Sequence, residues 1–216
     1  MLWDFDGTLI DSEPLWQHTH ARVAAELGGT WTPEIAAAMH GTSWPVAARV
    51  LLDGVGGAHL PIEYAIERWL QYVPDGLRAG VDWLPGAREL LTGMRAADVP
   101  CALVSSSFRP ILDAVTDDLP ADTFATVIAG DDVTRGKPDP EPYLLAAAHL
   151  DVDPRDCLVI EDSGGGCDSG NAAGAVVLAV PSEHPVPAAP RRVQLPGLAD
   201  VSWHDVLTTI APAWEE

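Results

Sequence analysis

The sequence predicts an α/β fold in which a doubly wound parallel sheet carries an inserted helical domain. Short apolar runs rich in Val, Ile, Ala and Leu recur along the chain. Amphipathic segments separate these runs, which is the pattern of parallel strands joined by crossover helices. The long stretch between the first and second runs contains several helix starts but no convincing strand, and it predicts the insertion.

The predicted elements alternate along the chain as βαβ units require. The strands are predicted at residues 2–5, 100–105, 126–129, 157–160 and 175–180. The helices of the main domain are predicted at residues 86–97, 109–116, 141–150, 165–173 and 203–210. Residues 181–196 are rich in proline and alanine, so irregular structure is predicted there.

The stretch from residue 12 to residue 81 is predicted to form the inserted helical domain. Helix-start residues are spread along it as N-caps and first-turn prolines: Ser12, Thr32 and Ser43, with Pro33, Pro45 and Pro61. The turn Leu84-Pro85-Gly86 then returns the chain to the core. The predicted core therefore comprises residues 1–11 and 82–216. An insertion after the first strand is expected at the carboxyl ends of the sheet, where open α/β folds bind ligands.

Composition and charge argue against nucleic-acid and membrane partners. The chain has 216 residues with 32 acidic and 12 basic side chains, and its formal net charge of −20 repels a nucleic-acid backbone. The longest apolar run, residues 172–180, is far shorter than the roughly 20 residues of a membrane-spanning helix. No basic and apolar leader follows Met1, so a cytoplasmic protein is expected. Cys101, Cys157 and Cys167 lack CxxC spacing and are expected to be structural.

Two carboxylates stand at the end of the first predicted strand. Asp4 and Asp6 are spaced i, i+2, and Gly7 permits a sharp change of chain direction after them. If the backbone turns there, both acids can reach one site, where one carboxylate can act as a nucleophile while the other moves protons. A solvated loop after a strand is the alternative that this spacing alone leaves open.

A serine cluster and a lysine follow later in the chain. Ser105, Ser106 and Ser107 come at the end of the second predicted strand, a position that is also typical of an ordinary strand-to-helix cap. Lys137 precedes Pro138, which keeps the lysine on a loop from which its side chain can point at a site. The alternative for Lys137 is a solvated surface residue, as most lysines are.

Two adjacent acids end the fourth predicted strand. Glu161 and Asp162 precede the glycine run Gly164-Gly165-Gly166. Such acids favour the N-terminus of the helix that follows. Alternatively, they provide the hard oxygen ligands that magnesium prefers, with waters completing the octahedron.

Together these segments resemble, in order, the four motifs of the haloacid dehalogenase (HAD) superfamily. The matching segments are residues 4–14, 103–105, 135–143 and 157–163. The insertion point is similar to that of the helical C1 cap in the β-phosphoglucomutase-like phosphatase branch. The resemblance implies a Rossmann-like core, the HAD fold, with a cap that closes over the active site as a lid.

The resemblance also implies a role for each candidate residue. The implied catalytic residues are Asp4 as nucleophile, Asp6 as general acid/base, Ser105 and Lys137. The implied substrate-binding residues are Ser105, Ser106 and Lys137. The implied magnesium ligands are Asp4, Asp6 through its backbone carbonyl, Asp162 and Glu161. The implied function is a magnesium-dependent phosphatase that hydrolyses a small phosphorylated metabolite through an aspartyl-phosphate, as a monomer or small homo-oligomer without nucleic-acid or membrane partners.

Two alternative functions share parts of this pattern. The first is a sugar-phosphate mutase of the same superfamily. In the mutase branch an arginine lies three residues after the glycine that corresponds to Gly41, whereas this chain has Trp44, which favours hydrolysis. The second is a phospho-accepting signalling module of the response-regulator type. Such modules lack both the cap and the second strand-end acid.

Overall fold

The computed structural model describes residues 1–180 and 185–214. Within them, six parallel strands form one sheet in the order β3-β2-β1-β4-β5-β6. The strands are β1 Leu2–Trp3, β2 Ala102–Val104, β3 Thr126–Ile128, β4 Leu158–Glu161, β5 Val176–Ala179 and β6 Arg192–Gln194. The α-helices are α1 Glu13–Glu26, α2 Pro33–Met39, α3 Trp44–Gly54, α4 Glu63–Ala79, α5 Ala87–Ala96, α6 Arg109–Thr116, α7 Glu141–His149, α8 Gly164–Ala172 and α9 Trp203–Trp214. The predicted α/β fold with a doubly wound parallel sheet is confirmed.

The central strand β1 is shorter than predicted. Its ladder pairs Leu2 with Ala102 on one side and with Val159 on the other. The prediction extended this strand through Phe5, but the Phe5 carbonyl instead accepts from the backbone N–H of Leu9 at 3.0 Å. The chain therefore leaves the sheet in a tight turn just after β1. This turn begins where the two acidic residues of the first motif stand.

The segment predicted to be irregular contains a short edge strand. β6 pairs in parallel with β5, with Val177 opposite Arg192. The Arg192 guanidinium donates to Asn171 Oδ1 at 2.8 Å and to Asp168 Oδ1 at 2.7 Å, and it ties β6 to α8. These contacts join residues far apart in sequence, so proline and alanine content could not indicate them. Residues 181–184 of the same prediction lie outside the described residues.

The sheet belongs to the larger of two compact units, Met1–Asp11 with Val81–Glu216. Leu2, Val104 and Val159, from three neighbouring strands, are buried in one cluster with Tyr143 of α7. Full burial of a large apolar side chain contributes roughly 1.5–3 kcal/mol. Burial, rather than strand length, therefore stabilises these short strands.

The second compact unit, Ser12–Gly80, contains helices α1 to α4. Ser12, Thr32 and Ser43 directly precede three of these helices. Thr32 Oγ1 accepts from a backbone N–H of the first turn of α2 at 3.4 Å. Pro61 lies just before α4 rather than in its first turn, which corrects one predicted position. No helix of residues 1–180 and 185–214 is both long enough and apolar enough to cross a membrane.

Three tryptophan rings surround His20 of α1 inside this helical unit. The imidazole centroid lies 5.6 Å from that of Trp16, 4.7 Å from that of Trp31 and 5.5 Å from that of Trp69. His20 Nδ1 is buried and has no hydrogen-bond partner among the described residues. Because burial penalises the charged form, the pKa of His20 falls from 6.5 to about 4. His20 is therefore neutral in the folded chain at neutral pH.

We expect the free energy of unfolding to decrease on acidification because of His20. The pKa is lower in the folded chain, so the unfolded chain binds more protons as the pH falls through 6.5 toward 4. The loss should reach about 2 kcal/mol between about pH 7 and about pH 5. Urea unfolding of wild type and His20→Phe at both pH values checks this, because groups common to the two proteins cancel. An unfolding difference between the two proteins that does not change with pH would contradict the assignment.

Candidate active site

The turn after β1 brings two carboxylates to the carboxyl edge of the sheet. Asp4 is buried, and its backbone N–H donates to the Ile160 carbonyl of β4 at 3.0 Å. Gly7 has a φ of +81°, in the left-handed region that favours glycine. A Cβ on Gly7 would also collide with the carboxylate of Asp162. The glycine is therefore needed both for the turn and for the approach of Asp162.

Lys137 lies in the centre of the site with all three ammonium donors used. Its Nζ donates to Asp4 Oδ1 at 2.6 Å, to Glu161 Oε1 at 2.7 Å and to the Val104 carbonyl at 3.0 Å. Its side chain is 7% exposed, so the solvated alternative for this lysine is wrong. One sequence signal would have sharpened the prediction: Lys137 is the only lysine among the 12 basic residues of the chain.

Glu161 is a fully occupied acceptor. Its Oε1 accepts from Lys137 Nζ and from the Tyr143 hydroxyl at 3.0 Å. Its Oε2 accepts from both the backbone N–H and the hydroxyl of Ser163, each at 3.0 Å. A carboxylate has about four lone-pair positions, so these donors fill them. Gly166 permits this packing, since a Cβ there would collide with the Glu161 carboxylate.

The contacts of Tyr143 with Glu161 and Lys137 could not be predicted from the sequence. The tyrosine lies on α7 and is completely buried. Besides its hydrogen bond to Glu161, its ring centroid lies 4.9 Å from Lys137 Nζ, within range of a cation–π contact. Tyr143 thus contacts both partners of the buried ion pair, Glu161 through its hydroxyl and Lys137 through the face of its ring.

The serines after β2 divide into two kinds. Ser105 and Ser107 are buried, and both hydroxyls donate to Asp6 Oδ2, at 3.3 Å and 2.8 Å respectively. Ser106 is exposed, and the hydrogen bonds of the described residues do not link its hydroxyl to this cluster. The structure therefore brings together the side chains of Asp6, Ser105 and Ser107. The sequence indicated no role for Ser107 beyond a strand-to-helix cap, so the contact of its hydroxyl with Asp6 was missed.

Three acidic side chains could hold a metal ion. Carboxylate oxygens of Asp4, Glu161 and Asp162 all lie within 4.8 Å of one another. Hard oxygen donors of this kind suit magnesium. Because the acceptor positions of Glu161 are filled by Lys137 and other donors, Asp4 and Asp162 fit direct ligation better. The donor set therefore fits a magnesium ion held mainly by two carboxylates.

Burial and neighbouring charges shift the pKa values of Asp4, Lys137 and Glu161 in different ways. Burial and nearby Glu161 raise the pKa of Asp4 well above its ordinary value, although Lys137 acts against this. Burial acts to lower the pKa of Lys137, but the charges of Asp4 and Glu161 raise it overall. Burial acts to raise the pKa of Glu161, but Lys137 and the Ser163 hydrogen bonds lower it overall. Lys137 and Glu161 thus form an ionised pair, and Asp4 is the carboxyl whose ionisation depends most on a further cation.

Comparison with known proteins identifies the class to which this fold and site belong. Residues 1–180 match the family model described as haloacid dehalogenase-like hydrolase. The chain therefore belongs to the haloacid dehalogenase-like hydrolases. This confirms the resemblance predicted from the four motifs, and with it the prediction of a hydrolase.

Relatives within the family are named as phosphatases. The chain is 35% identical to hexitol phosphatase A of Escherichia coli, over 83% of this chain and 81% of that protein. It is 30% identical to the phosphorylated carbohydrates phosphatase of Thermotoga maritima, over 81% of each chain. The crystal structure of CbbY from Rhodobacter sphaeroides in complex with phosphate has a TM-score of 0.81 and 26% identity, over 94% of this chain and 96% of that one.

Proposed function

We propose that this chain is a magnesium-dependent phosphatase that hydrolyses a small phosphorylated carbohydrate through an aspartyl-phosphate on Asp4. One observation carries the proposal: Asp4 lies at a strand end with Lys137 Nζ 2.6 Å from its Oδ1 and with carboxylate oxygens of Asp162 nearby. The ammonium group of Lys137 is thereby held beside the position that phosphoryl oxygens would occupy if Asp4 attacked phosphorus. The phosphatase names of the relatives support the same reaction class.

In this proposal the reaction has two steps, and each residue of the site has a role in them. Asp4 forms a bond to phosphorus as the ester P–O bond breaks, and Asp6 donates a proton to the departing alcohol oxygen. Asp6 then takes a proton from the water that attacks the aspartyl-phosphate, which releases inorganic phosphate and restores Asp4. Ser105 donates to a phosphoryl oxygen as negative charge develops on it, and Lys137 does the same after its ammonium exchanges one of its three present acceptors for that oxygen.

Magnesium would be held by Asp4, Asp162 and the backbone carbonyl of Asp6. When bound, it supplies charge neutralisation at the phosphoryl group and at the Asp4 carboxylate. Glu161 keeps its hydrogen bonds to Lys137, Tyr143 and Ser163 in this proposal, so it is not a direct ligand of the ion. The helical unit Ser12–Gly80 is proposed to act as the cap that sets substrate preference.

A screen of phosphorylated metabolites tests the proposed function. Purified protein with magnesium is incubated with phosphorylated hexitols, hexoses and smaller polyols, and released phosphate is measured. We expect many turnovers on at least one compound. Transfer of phosphate to a second sugar without release would favour the mutase instead. A single turnover that ends with phosphorylated protein would favour the signalling module.

We also expect activity to require magnesium. Without a bound cation, the acids at the strand ends repel a phosphate dianion, and burial raises the pKa of Asp4, which disfavours the ionised form that must attack. Exhaustive chelation should reduce phosphate release at least 100-fold, on the scale of roughly several kcal/mol that metal ions contribute. Added magnesium should restore activity and raise the melting temperature of the wild type more than that of Asp162→Asn. Full activity after chelation would contradict this proposal.

A further inference from the structure

The side chain of Asp6 is held by hydroxyls from the loop after β2. Ser107 Oγ is the nearer donor, at 2.8 Å from Asp6 Oδ2, and Ser105 Oγ is 3.3 Å from the same oxygen. The backbone N–H of Ser107 donates to Ser105 Oγ at 2.9 Å, and the Ser107 carbonyl accepts from Gly130 N–H at 2.8 Å. Ser107 is therefore fixed on both sides along its backbone, and it is buried.

The two hydroxyls are not equivalent once a substrate is bound. A serine hydroxyl has a single hydrogen to donate. In the proposed function the Ser105 hydrogen is needed for a phosphoryl oxygen, so it cannot also be donated to Asp6. Ser107 is then the hydroxyl of this pair that remains for Asp6. The shorter distance from Ser107 Oγ to Asp6 Oδ2 fits that division.

We propose that Ser107 is a positioning residue for Asp6 in the reaction. It keeps the Asp6 carboxyl turned so that its proton is delivered to the leaving alcohol in a constant direction. The inference rests on the proposed function, because it assigns Ser107 a part in the proton transfer of that same site. Misplacing a reacting group by about 1 Å costs on the order of 100-fold in rate, so one hydroxyl is enough to matter.

Leaving-group dependence separates positioning from phosphate binding. The Ser107→Ala variant is compared with wild type on an alkyl phosphate and on an aryl phosphate whose leaving group needs little protonation. The measured quantity is kcat/KM, which covers the steps up to loss of the alcohol. We expect a decrease of about 10- to 100-fold with the alkyl ester and less than about 3-fold with the aryl ester. Inhibition by inorganic phosphate should not change.

A double-mutant cycle tests whether Ser107 acts through Asp6. In an Asp6→Asn background, Ser107→Ala should cause almost no further loss with the alkyl ester, because the group it positions no longer carries the proton. Thr123→Val is the matched control: Thr123 is also buried in the sheet-containing unit, and its hydroxyl has no hydrogen-bond partner among the described residues. This control should keep the wild-type ratio between the two esters.

Two results would overturn the role of Ser107 while leaving the proposed function intact. One is an equal loss for both esters together with weaker inhibition by phosphate, which would make Ser107 a phosphate ligand. The other is an unchanged kcat/KM for the alkyl ester, or losses that add in the double mutant. Wild-type protein that hydrolyses neither ester would instead overturn the proposed function and the role of Ser107 together.

Discussion

Asp4→Asn should abolish phosphoryl transfer while leaving the protein folded. Removing the proposed nucleophile is expected to lower kcat by about four to six orders of magnitude, as in enzymes that form a covalent intermediate. The asparagine side chain is isosteric and can still accept from Lys137, and the Lys137–Glu161 ion pair remains. The free energy of unfolding should therefore change by no more than about 1–2 kcal/mol. Rapid-quench mass spectrometry with an aryl phosphate should detect no phosphorylated protein.

Asp6→Asn is the comparison variant for the same experiment. It keeps the proposed nucleophile but removes the group proposed as proton donor and as the base that activates water, which should slow turnover of an alkyl phosphate by about two to four orders of magnitude. With an aryl phosphate, Asp4 should still be phosphorylated while hydrolysis stays slow, so phosphorylated protein should accumulate. Phosphorylated Asp4→Asn protein, or Asp6→Asn turnover equal to wild type, would show that the two roles are assigned wrongly.

Lys137→Met should have the second largest effect, because it affects both stability and activity. The variant leaves two buried carboxylates, Asp4 and Glu161, without the ammonium that now lies within 2.7 Å of each. Removing one partner of a buried ion pair costs about 3–5 kcal/mol of stability. Loss of the cation proposed to bind phosphoryl oxygens should also lower kcat/KM by about 100- to 1,000-fold. Urea unfolding and steady-state kinetics measure the two effects separately.

Controls near Lys137 distinguish loss of this contact from loss of charge in general. Arg135→Met removes a cation two residues away whose side chain is 65% exposed, so both stability and activity should remain close to wild type. Lys137→Arg keeps the charge, but a planar guanidinium cannot reproduce three converging ammonium donors, so activity should stay low. Recovery of stability in Lys137→Met with Glu161→Gln would support the uncompensated charge as the cause. Wild-type kinetics in Lys137→Met would exclude a role for Lys137 in the site.

The negative charge of the chain explains why the proposed reaction needs a metal cation. The formal net charge is −20, yet the site must attract a phosphate ester. Lys137 provides one buried positive charge, but Glu161 neutralises it, and Asp4 and Asp162 add further negative charge. The protein charges alone therefore do not favour a phosphate dianion. This balance is the physical reason why a divalent cation belongs in the proposed mechanism.

The sequence by itself determined the class of fold and most of the site. Parallel strands buried on both faces need continuous apolar runs, so β2, β3, β4 and β5 could be predicted close to their observed positions. Asp4, Lys137, Glu161 and Asp162 could be named because their segments resemble, in order, the motifs of the haloacid dehalogenase superfamily. Parallel strands end at the same edge, so such residues converge whatever the details of packing.

Only the tertiary structure decided which atoms meet. The Ser107 hydroxyl reaches Asp6 across 101 positions of sequence, and the Tyr143 hydroxyl reaches the same Glu161 oxygen as Lys137. The pairing of β6 with β5 likewise depends on Arg192 contacts with α8. The contacts at the site arise because β2, β1 and β4 are neighbours in the sheet although the chain connects them through long crossovers. A hydrogen bond depends on distances of a few tenths of an ångström, and no local pattern of residue types encodes distance between segments that meet only after folding.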